Sequence, residues 1–391
     1  MNIGTVLREQ RLKLGLSITE AASRGGVTRS YLSMVETGQR APNPEMLVRF
    51  TRALSIPVDV WLEPFINEER RCHRLVSLGG ALYGAGDYVA ARHALSRAYF
   101  LGRADGDGRY NSEIYLLLGR VRYAQEHYGL ALRWFRRLAR AVGHSSDRRL
   151  KAVTDYNLAQ CMSKSGRELD ALAKFDDAAG QFRSLRLWSE MGRTLLAKAN
   201  VLIGRGMYHK SHEAYRRAAY LLRGKPFHGD ALLGAAITTV AVEGPDAAVL
   251  RLYRIIGDDR LDTLVRAKAS SNLAMTLRQL GRYKEAVQEV NAALVSRAML
   301  PTRLVAAMLA ESALCYVRMG DAESARRVLR EYKAIPGVKD DQDIAAMRIL
   351  ARVLGDAPPN ELVSKAVADE HGYRMSEALR ILQEFPLRTR V

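Results

Sequence analysis

Over its first 62 residues the chain places apolar side chains three or four positions apart, which predicts five short amphipathic helices. The first covers 3–14, and Ser17 is placed to cap the second. A fourth helix follows over 45–54, and Pro57 opens a short fifth one. The residues predicted to face the core of these helices are Val6, Leu7, Leu14, Ile18, Ala21, Ala22, Val58, Trp61 and Leu62.

The second and third helices have the spacing of a helix-turn-helix. Ala22 is small where the third helix has to cross the second, and Gly26 tolerates the positive φ of a tight turn. Val27 is apolar and closes the joint, while Leu32 and Val35, three residues apart, face inward on the third helix. The segment 27–40 is therefore predicted to be a DNA recognition helix with its exit loop.

The outward face of this helix carries short or hydrogen-bonding side chains, as a helix that enters the major groove needs. Thr28 is predicted to cap it, and Arg29 to contact a base or a phosphate. We expect Arg40 to bind a phosphate in the exit loop. The complete set of predicted DNA-binding residues is Thr28, Arg29, Ser30, Ser33, Met34, Thr37, Gln39 and Arg40.

The first 62 residues resemble the five-helix DNA-binding domain of phage-repressor and XRE-like regulators. In this family a glutamine that contacts a phosphate usually opens the second helix, and Ile18 stands there instead. The alternative is a small helical domain that mediates contacts without binding DNA. The resemblance rests on Leu16, Ser17, Ala22, Gly26, Val27, Tyr31, Leu32, Ser33, Val35, Glu36, Gly38, Arg40, Pro42, Leu47, Ala53 and Leu54.

Beyond the helix-turn-helix domain, which we call the head, the chain repeats a glycine or polar turn, then an aromatic residue, then alanine three positions on. The key positions are 88, 128, 168, 208, 246, 283 and 322, which step by 40, 40, 40, 38, 37 and 39 residues. They hold tyrosine in four copies, whereas Glu168 marks a weaker copy, Asp246 a degenerate one, and Ala322 the last. Each copy has an apolar helix on either side of its turn, so about seven helical hairpins are predicted over 75–335. They resemble tetratricopeptide repeats with lengthened helices.

The sequence therefore predicts an all-α protein in which an XRE-like helix-turn-helix domain precedes a right-handed tetratricopeptide-like α-solenoid. The predicted domains are the head at 1–65, a helical linker at 66–74, the repeats at 75–335 and closing helices at 336–391.

Stacked hairpins have a concave groove lined by the first helix of each pair, and positions eleven and eight before each turn aromatic should face it. Side-chain amides at such positions suit the backbone of an extended peptide, although asparagine there also occurs for packing reasons. The predicted peptide-binding residues are Asn157, Gln160, Lys164, Arg193, Asn200, Lys268 and Asn272.

An XRE-like head joined to such a body resembles the RRNPP family of peptide-responsive bacterial regulators. The resemblance implies that Asn157, Asn200 and Asn272 hold the backbone of a short signalling peptide. It also implies a homodimer on a two-fold symmetric DNA operator, with no cofactor and no membrane partner. A solenoid that docks a protein partner, with no peptide signal, is the alternative.

The formal net charge of +18 lies mostly outside the head. Residues 1–65 hold eight Lys or Arg and six Asp or Glu, a net +2, whereas the remainder holds 52 and 36, a net +16. An arginine-rich genome would spread such charge without function, and a solvated helix face is its usual meaning. Attraction of flanking DNA or an acidic ligand is the other interpretation, with a candidate patch at Arg133, Arg136, Arg137, Arg140, Arg148, Arg149 and Lys151.

The remaining sequence features argue against other classes of protein. Cys72, Cys161 and Cys315 are too few and too scattered for a disulfide framework or a zinc site, and we expect buried thiols. Neither a signal peptide nor a membrane-spanning run is evident, which predicts a cytoplasmic bacterial protein that joins the nucleoid when bound to DNA. No catalytic or metal-binding motif is found, so we do not expect an enzyme.

Overall fold

The computed structural model describes residues 3–54, 71–104, 108–143, 145–336 and 341–355. Within these ranges it contains nineteen α-helices, one short 3₁₀-helix and no strand, which confirms the predicted all-α class. The head consists of α1 (Ile3–Lys13), α2 (Ile18–Arg24), α3 (Arg29–Glu36) and α4 (Pro44–Ala53). The predicted fifth helix, with Val58, Trp61 and Leu62, lies outside the described residues.

The helices beyond the head pair into hairpins. In chain order they are α5 (Arg71–Gly84), α6 (Tyr88–Ala104), α7 (Asn111–Ala124), α8 (Tyr128–Val142), α9 (Arg148–Lys164), α10 (Glu168–Ser184), α11 (Trp188–Gly204), α12 (Tyr208–Leu221), α13 (His228–Val242), α14 (Pro245–Ile256), α15 (Thr263–Gln279), α16 (Tyr283–Leu294), α17 (Thr302–Arg318), α18 (Ala322–Ala334) and α19 (Asp341–Val353). The 3₁₀-helix Arg297–Met299 precedes α17.

The helix starts in the head follow from local capping chemistry. Ser17 forms a capping box with Glu20, in which its side chain accepts from the Glu20 amide and the Glu20 carboxylate accepts from the Ser17 amide. Thr28 caps α3 as predicted. Asn43 caps α4, where Pro44 occupies the first helical position because it has no amide hydrogen to satisfy.

The prediction is wrong for one core residue of the head. Leu14 is 49 % exposed, although the sequence pattern placed it on the inward face of the first helix. The helix ends at Lys13, and Gly15 turns the chain with a φ of +67°. The turn breaks the helical spacing, and Leu16 takes the buried position instead.

The turn of each hairpin lies where the repeated sequence pattern predicted it. The second helices begin at residues 88, 128, 168, 208, 245, 283 and 322, one position earlier than predicted in the fifth copy because Pro245 starts that helix. A residue with positive φ precedes these starts, and it is glycine in six copies, as at Gly86. In the second copy Glu126 adopts this conformation, with a φ of +61°.

Two rows of small residues bring the helices of each hairpin together. The residue three positions into each second helix is buried in every copy, as the repeat pattern predicted: Ala91, Ala131, Ala171, Ser211, Ala248, Ala286 and Ala325. The sequence analysis missed the opposing row, nine positions before each second helix: Gly79, Gly119, Ala159, Ala199, Ala236, Ala274 and Ala313.

Close approach explains the opposing row. A Cβ atom built on Gly119 would lie 2.4 Å from the Phe135 ring, and one on Gly79 would lie 2.5 Å from the Leu95 side chain. In the fourth copy, the hydroxyl of Ser211 donates to the carbonyl oxygen of Ala199 across the crossing at 2.9 Å. The crossing therefore selects for small residues on both helices.

The chain divides into two compact units, Met1–Thr194 and Leu195–Val391. In the first unit one continuous buried core runs from the head into the first two hairpins, and α4 packs against α5. In the second unit the buried side chains form clusters around α13–α17 and around α17–α19.

Several predicted features fall partly outside the described residues. Of the predicted linker at 66–74, only residues from Arg71 are described, and these belong to α5. Of the predicted closing helices at 336–391, the structure describes α19. All three cysteines are buried and form no disulfide, as expected, and burial raises the pKa of Cys161 to about 12. None of the helices in the described ranges has the length and apolar character that crossing a membrane requires.

Candidate DNA-binding and ligand-binding sites

The predicted DNA-binding side chains lie on one exposed surface formed by α3 and the loop that follows it. Arg29 and Ser30 are exposed in the first turn of α3, and Gln39 and Arg40 are exposed after its end. Thr28 and Thr37 are also exposed, while Ser33 and Met34 are half-buried. The surface leaves the charged and amide groups accessible to a duplex.

Both threonines at the ends of α3 already bond to their own helix. The Thr28 hydroxyl oxygen accepts from the Tyr31 amide at 3.2 Å, and the Thr37 hydroxyl donates to the Ser33 carbonyl oxygen at 2.9 Å. A hydroxyl has one donor and two acceptor positions. Each threonine therefore keeps capacity for a DNA contact in addition to its structural bond.

A buried ion pair and a close helix crossing fix the position of α3 against α1. The Arg11 guanidinium donates to both Glu36 carboxylate oxygens, at 2.7 and 2.8 Å, and to the Leu16 carbonyl oxygen at 2.9 Å. The hydrogen bonds to Glu36 are the main reason that the pKa of Arg11 is raised. At Gly4 a Cβ atom would lie 1.9 Å from the Val35 carbonyl oxygen, so only glycine fits there.

A shallow hollow lies between the start of α3 and α4, and it adds a residue that the sequence analysis missed. Arg40 and Arg49 both line it, together with Thr28 and Asn43. The Arg40 guanidinium lies 4.8 Å from the centre of the Tyr31 ring, which holds it in place. Two arginines beside the N-terminus of α3 suit a phosphate group, and they outnumber the single carboxylate in the lining, that of Glu45. No sequence signal distinguished Arg49 from an ordinary surface arginine of α4.

A second polar cluster forms on the first helices of two hairpins in the first unit. Gln160 of α9 accepts a hydrogen bond from the Tyr123 hydroxyl at 2.9 Å and donates another to the Tyr156 hydroxyl. Burial raises the pKa of Tyr123 to about 12. Gln160 therefore lies in a hydrogen-bonded cluster that joins α7 to α9.

Arg120 belongs to the same repeat position as Gln160, one copy earlier, and the prediction missed it as a site residue. It is half-buried, and no acidic side chain of the described residues forms an ion pair with it. Burial is the main reason that its pKa is lowered, and the positive charge of Arg193 acts in the same direction. A cation in this environment favours an anionic partner.

The predicted asparagines have structural bonds. Asn157 and Asn272 each donate to the carbonyl oxygen four residues earlier in their own helix, at 2.6 and 2.8 Å. In the second unit the Asn200 amide oxygen accepts from the Tyr215 hydroxyl at 2.6 Å. These bonds agree with the packing alternative for asparagine, but each amide has further donor or acceptor capacity.

The charged members of the predicted set are more accessible. Lys164 and Arg193 are exposed in the first unit. Lys268 is half-buried in the second unit and lies 3.5 Å from a carboxylate oxygen of Asp230. The predicted residues therefore divide into Asn157, Gln160, Lys164 and Arg193 in the first unit, and Asn200, Lys268 and Asn272 in the second.

Comparison with known proteins agrees with the head geometry. A helix-turn-helix family model matches residues 7–61. The transcriptional regulator ClgR of Mycobacterium tuberculosis is 30 % identical over 104 residues, which are 75 % of ClgR and 27 % of this chain. The chain belongs to the ClgR family of helix-turn-helix transcriptional regulators. Like ClgR, it is a transcriptional regulator, and its helix-turn-helix makes it a DNA-binding one.

The helical hairpins have the fold of tetratricopeptide proteins. The quorum sensor NprR from Bacillus thuringiensis, in its apo form, matches with a TM-score of 0.54 and 12 % identity over 84 % of this chain and 97 % of NprR. A tetratricopeptide repeat protein from Parabacteroides merdae matches with a TM-score of 0.53 and 15 % identity over 73 % of this chain and 98 % of its own. The predicted XRE-type head and tetratricopeptide-like body are thereby confirmed as a fold.

Proposed function

We propose that this regulator binds a two-fold symmetric operator as a homodimer and that its solenoid binds a short signalling peptide. The observation that carries the proposal is the joining of an exposed recognition helix to a tetratricopeptide-like body with a polar cluster on its first helices. NprR, which has a similar fold, is a quorum sensor, and this supports the same role here.

The polar cluster of the first unit has the chemistry that a peptide ligand requires. Gln160 and Asn157 carry amide groups that can pair with a peptide backbone, and Arg120 and Arg193 can pair with an acidic side chain or a terminal carboxylate. Tyr123 and Tyr156 supply apolar ring surface around the amide of Gln160.

The peptide would act by shifting a population between two arrangements of the dimer that space the heads differently. A ligand changes DNA affinity only as far as it prefers one arrangement over the other. A coupling free energy of about 1–3 kcal/mol would change operator affinity by roughly 5-fold to 150-fold.

The DNA-binding half of the proposal is tested at Arg29. Replacing Arg29 with alanine removes an exposed cation from the first turn of the recognition helix, and operator binding should weaken by about 1–3 kcal/mol. The operator is first selected from random duplexes with the purified protein, and affinity and sequence preference are then measured by fluorescence anisotropy. Arg24→Ala, an exposed arginine of α2, is the control with equal charge. Unchanged affinity and preference in Arg29→Ala would contradict the docking of α3.

The ligand-binding half is tested by native mass spectrometry of protein purified under mild conditions from its own host. We expect a co-purifying species with the mass of a short peptide, lost in the Asn157→Ala/Gln160→Ala variant. The control Asn291→Ala removes an exposed amide from α16, the second helix of its hairpin, and this variant should retain the bound peptide. Protein that stays free of ligand after exposure to host culture extract would contradict the peptide proposal.

A solenoid that docks a protein partner is the second candidate function. The structural bonds of Asn157 and Asn272 favour it, because they explain both asparagines without a peptide. A protein that co-purifies in fixed ratio, together with the absence of any bound peptide, would select this candidate.

A further inference from the structure

The two second helices nearest the head, α6 and α8, carry seven arginines and no acidic residue. Soluble helices usually mix charges of both signs, and α10, the next second helix, has four acidic and two basic residues. The single sign on α6 and α8 is therefore a local feature. Their arginines are Arg92, Arg97, Arg103, Arg133, Arg136, Arg137 and Arg140.

Six of these arginines are exposed, all except Arg92. The four on α8 have the spacing i, i+3, i+4, i+7 and so share one side of that helix, and Arg103 of α6 donates to the same Tyr99 hydroxyl as Arg137. We call Arg103, Arg133, Arg136, Arg137 and Arg140 the basic face. Within the residues that the structure describes, no acidic side chain forms an ion pair with any of the five. Like charges on neighbouring helices repel one another, and this costs folding free energy. A solvated surface without function does not require such an arrangement, because interspersed acidic residues would relieve the repulsion.

Aromatic rings hold part of the basic face in position. The Arg137 guanidinium lies 4.7 Å from the centre of the Trp134 ring and donates to the Tyr99 hydroxyl at 3.5 Å. Arg103 donates to the same hydroxyl at 3.2 Å, and Trp134 packs edge-on against Tyr99 at 5.3 Å. A guanidinium that stacks on a ring keeps its N–H groups available for an anionic ligand.

Three further cations stand at the start of α9, the helix after the basic face. Arg148, Arg149 and Lys151 are exposed in its first turns, where the helix dipole disfavours positive charge. Arg149 lies 3.4 Å from the Glu190 carboxylate, a long contact between exposed groups. These cations extend the basic surface along the chain at an electrostatic cost.

The basic face is attached firmly to the DNA-binding head. The continuous core of the first unit includes Leu7 and Phe50 of the head, Leu95 of α6 and Val121 of α7, and Trp134 of α8 packs against it. The basic face and the recognition helix therefore belong to one packed unit.

We propose that the basic face binds the phosphates of duplex DNA that flanks the sequence recognised by α3. Charge complementarity selects this occupant, because α6 and α8 carry no acidic residue and the head of the same unit binds DNA. Arginine forks pair with phosphate oxygens in bidentate geometry. The proposal rests on the DNA-binding function of the head and extends it to the solenoid.

The size of the surface fits this role. Arg133 and Arg140 are seven residues apart on α8, which gives about 10 Å along the helix at 1.5 Å per residue. One DNA strand presents roughly three phosphates over that length. The contacts carry no sequence information, so they would raise affinity for any duplex and extend the protected region beyond the operator.

The test uses the full-length protein and a 40-bp duplex of arbitrary sequence, with affinity measured by anisotropy at a series of salt concentrations. The variant Arg133→Gln/Arg136→Gln/Arg140→Gln removes three charges of the basic face. The control Arg217→Gln/Arg254→Gln/Arg327→Gln removes three exposed arginines from second helices of the other unit. All six side chains are exposed, and thermal unfolding verifies that both variants fold.

We expect the basic-face variant to bind the duplex more weakly and to lower the slope of log affinity against log salt by about 2 to 3, since each phosphate contact contributes roughly 0.9. The control should keep the slope of the unmodified protein. An unchanged slope in the basic-face variant would overturn the proposal and leave an acidic protein as the partner class. An equal loss in the control would overturn it as well, because the attraction would then come from net charge.

The same measurements distinguish a failure of the DNA-binding function from a failure of the basic-face proposal. If the unmodified protein binds neither the selected operator nor the arbitrary duplex, the DNA-binding function itself is wrong and the basic face has no such ligand. If the unmodified protein binds both duplexes and the basic-face variant has the same salt slope as the unmodified protein, the head functions as proposed and the basic face takes no part.

Discussion

Replacing Glu36 with alanine is expected to destabilise the DNA-binding head by about 2–4 kcal/mol and to abolish operator binding at ordinary temperature. The substitution leaves the Arg11 side chain, which is 11 % exposed, with a buried charge and without its two hydrogen bonds to the carboxylate. The cost is large because a buried charge that loses its partner is not rehydrated. The pair also holds the end of α3 against α1, so the recognition helix loses its position.

Hydrogen exchange followed by mass spectrometry measures this effect helix by helix. Amides of α1 and α3 should exchange much faster in Glu36→Ala, whereas amides of the solenoid hairpins should change little. Glu9→Ala, which removes an exposed carboxylate from α1, should bind DNA normally. The double variant Arg11→Met/Glu36→Leu, which removes both charges, should recover most of the stability. Retained protection in α3 of the single variant would show that the ion pair does not fix the helix.

Replacing Glu311 with alanine is expected to cost the second unit about 3–5 kcal/mol of folding free energy. Glu311 of α17 and Arg278 of α15 form an ion pair whose two side chains are 0 % and 2 % exposed. Removing the carboxylate leaves the arginine charged in the core, between helices that are otherwise packed by apolar residues. The pair joins first helices of neighbouring hairpins, so stacking of the hairpins depends on it.

Chemical denaturation monitored by circular dichroism measures the free energy of unfolding. An exposed ion pair provides the comparison with the buried one. Arg282 and Glu285 lie three residues apart on the surface, with side chains 39 % and 44 % exposed. Glu285→Ala should change the denaturation midpoint far less, because water replaces the lost partner. A change in Glu311→Ala no larger than that in Glu285→Ala would contradict the buried role of the pair.

The two ion pairs also show what sequence reasoning could not reach. Arg11 and Glu36 are 25 residues apart, and Arg278 and Glu311 are 33 apart. Neither separation corresponds to a helical spacing, and although Glu36 belongs to the family pattern, the sequence does not show which residue it pairs with. Their pairing depends on which helices pack together and in what register along their axes, and both are settled only when the helices pack.

The sequence predicted only part of the candidate ligand site, because here too the contacts depend on how the helices pack. Counting back from each turn identified Gln160, because the repeat period carries a helix face from copy to copy. The partners of that side chain, Tyr123 and Tyr156, were not found. Tyr123 lies 37 residues away on α7, and the count gives equivalent positions without showing which neighbouring side chains touch.

The sequence by itself determined the helix-turn-helix, the hairpin period and the turn positions. These features depend on local rules, namely apolar spacing of three or four residues, capping by Ser17 and Thr28, and turns with positive φ such as Gly86. Only the tertiary structure decided the opposing row of small residues, the two buried ion pairs and the contacts through Tyr99 that join Arg103 to the arginine patch already indicated by the sequence of α8. Those features depend on how closely two helices approach and which side chains face each other, and residues far apart in the chain set both.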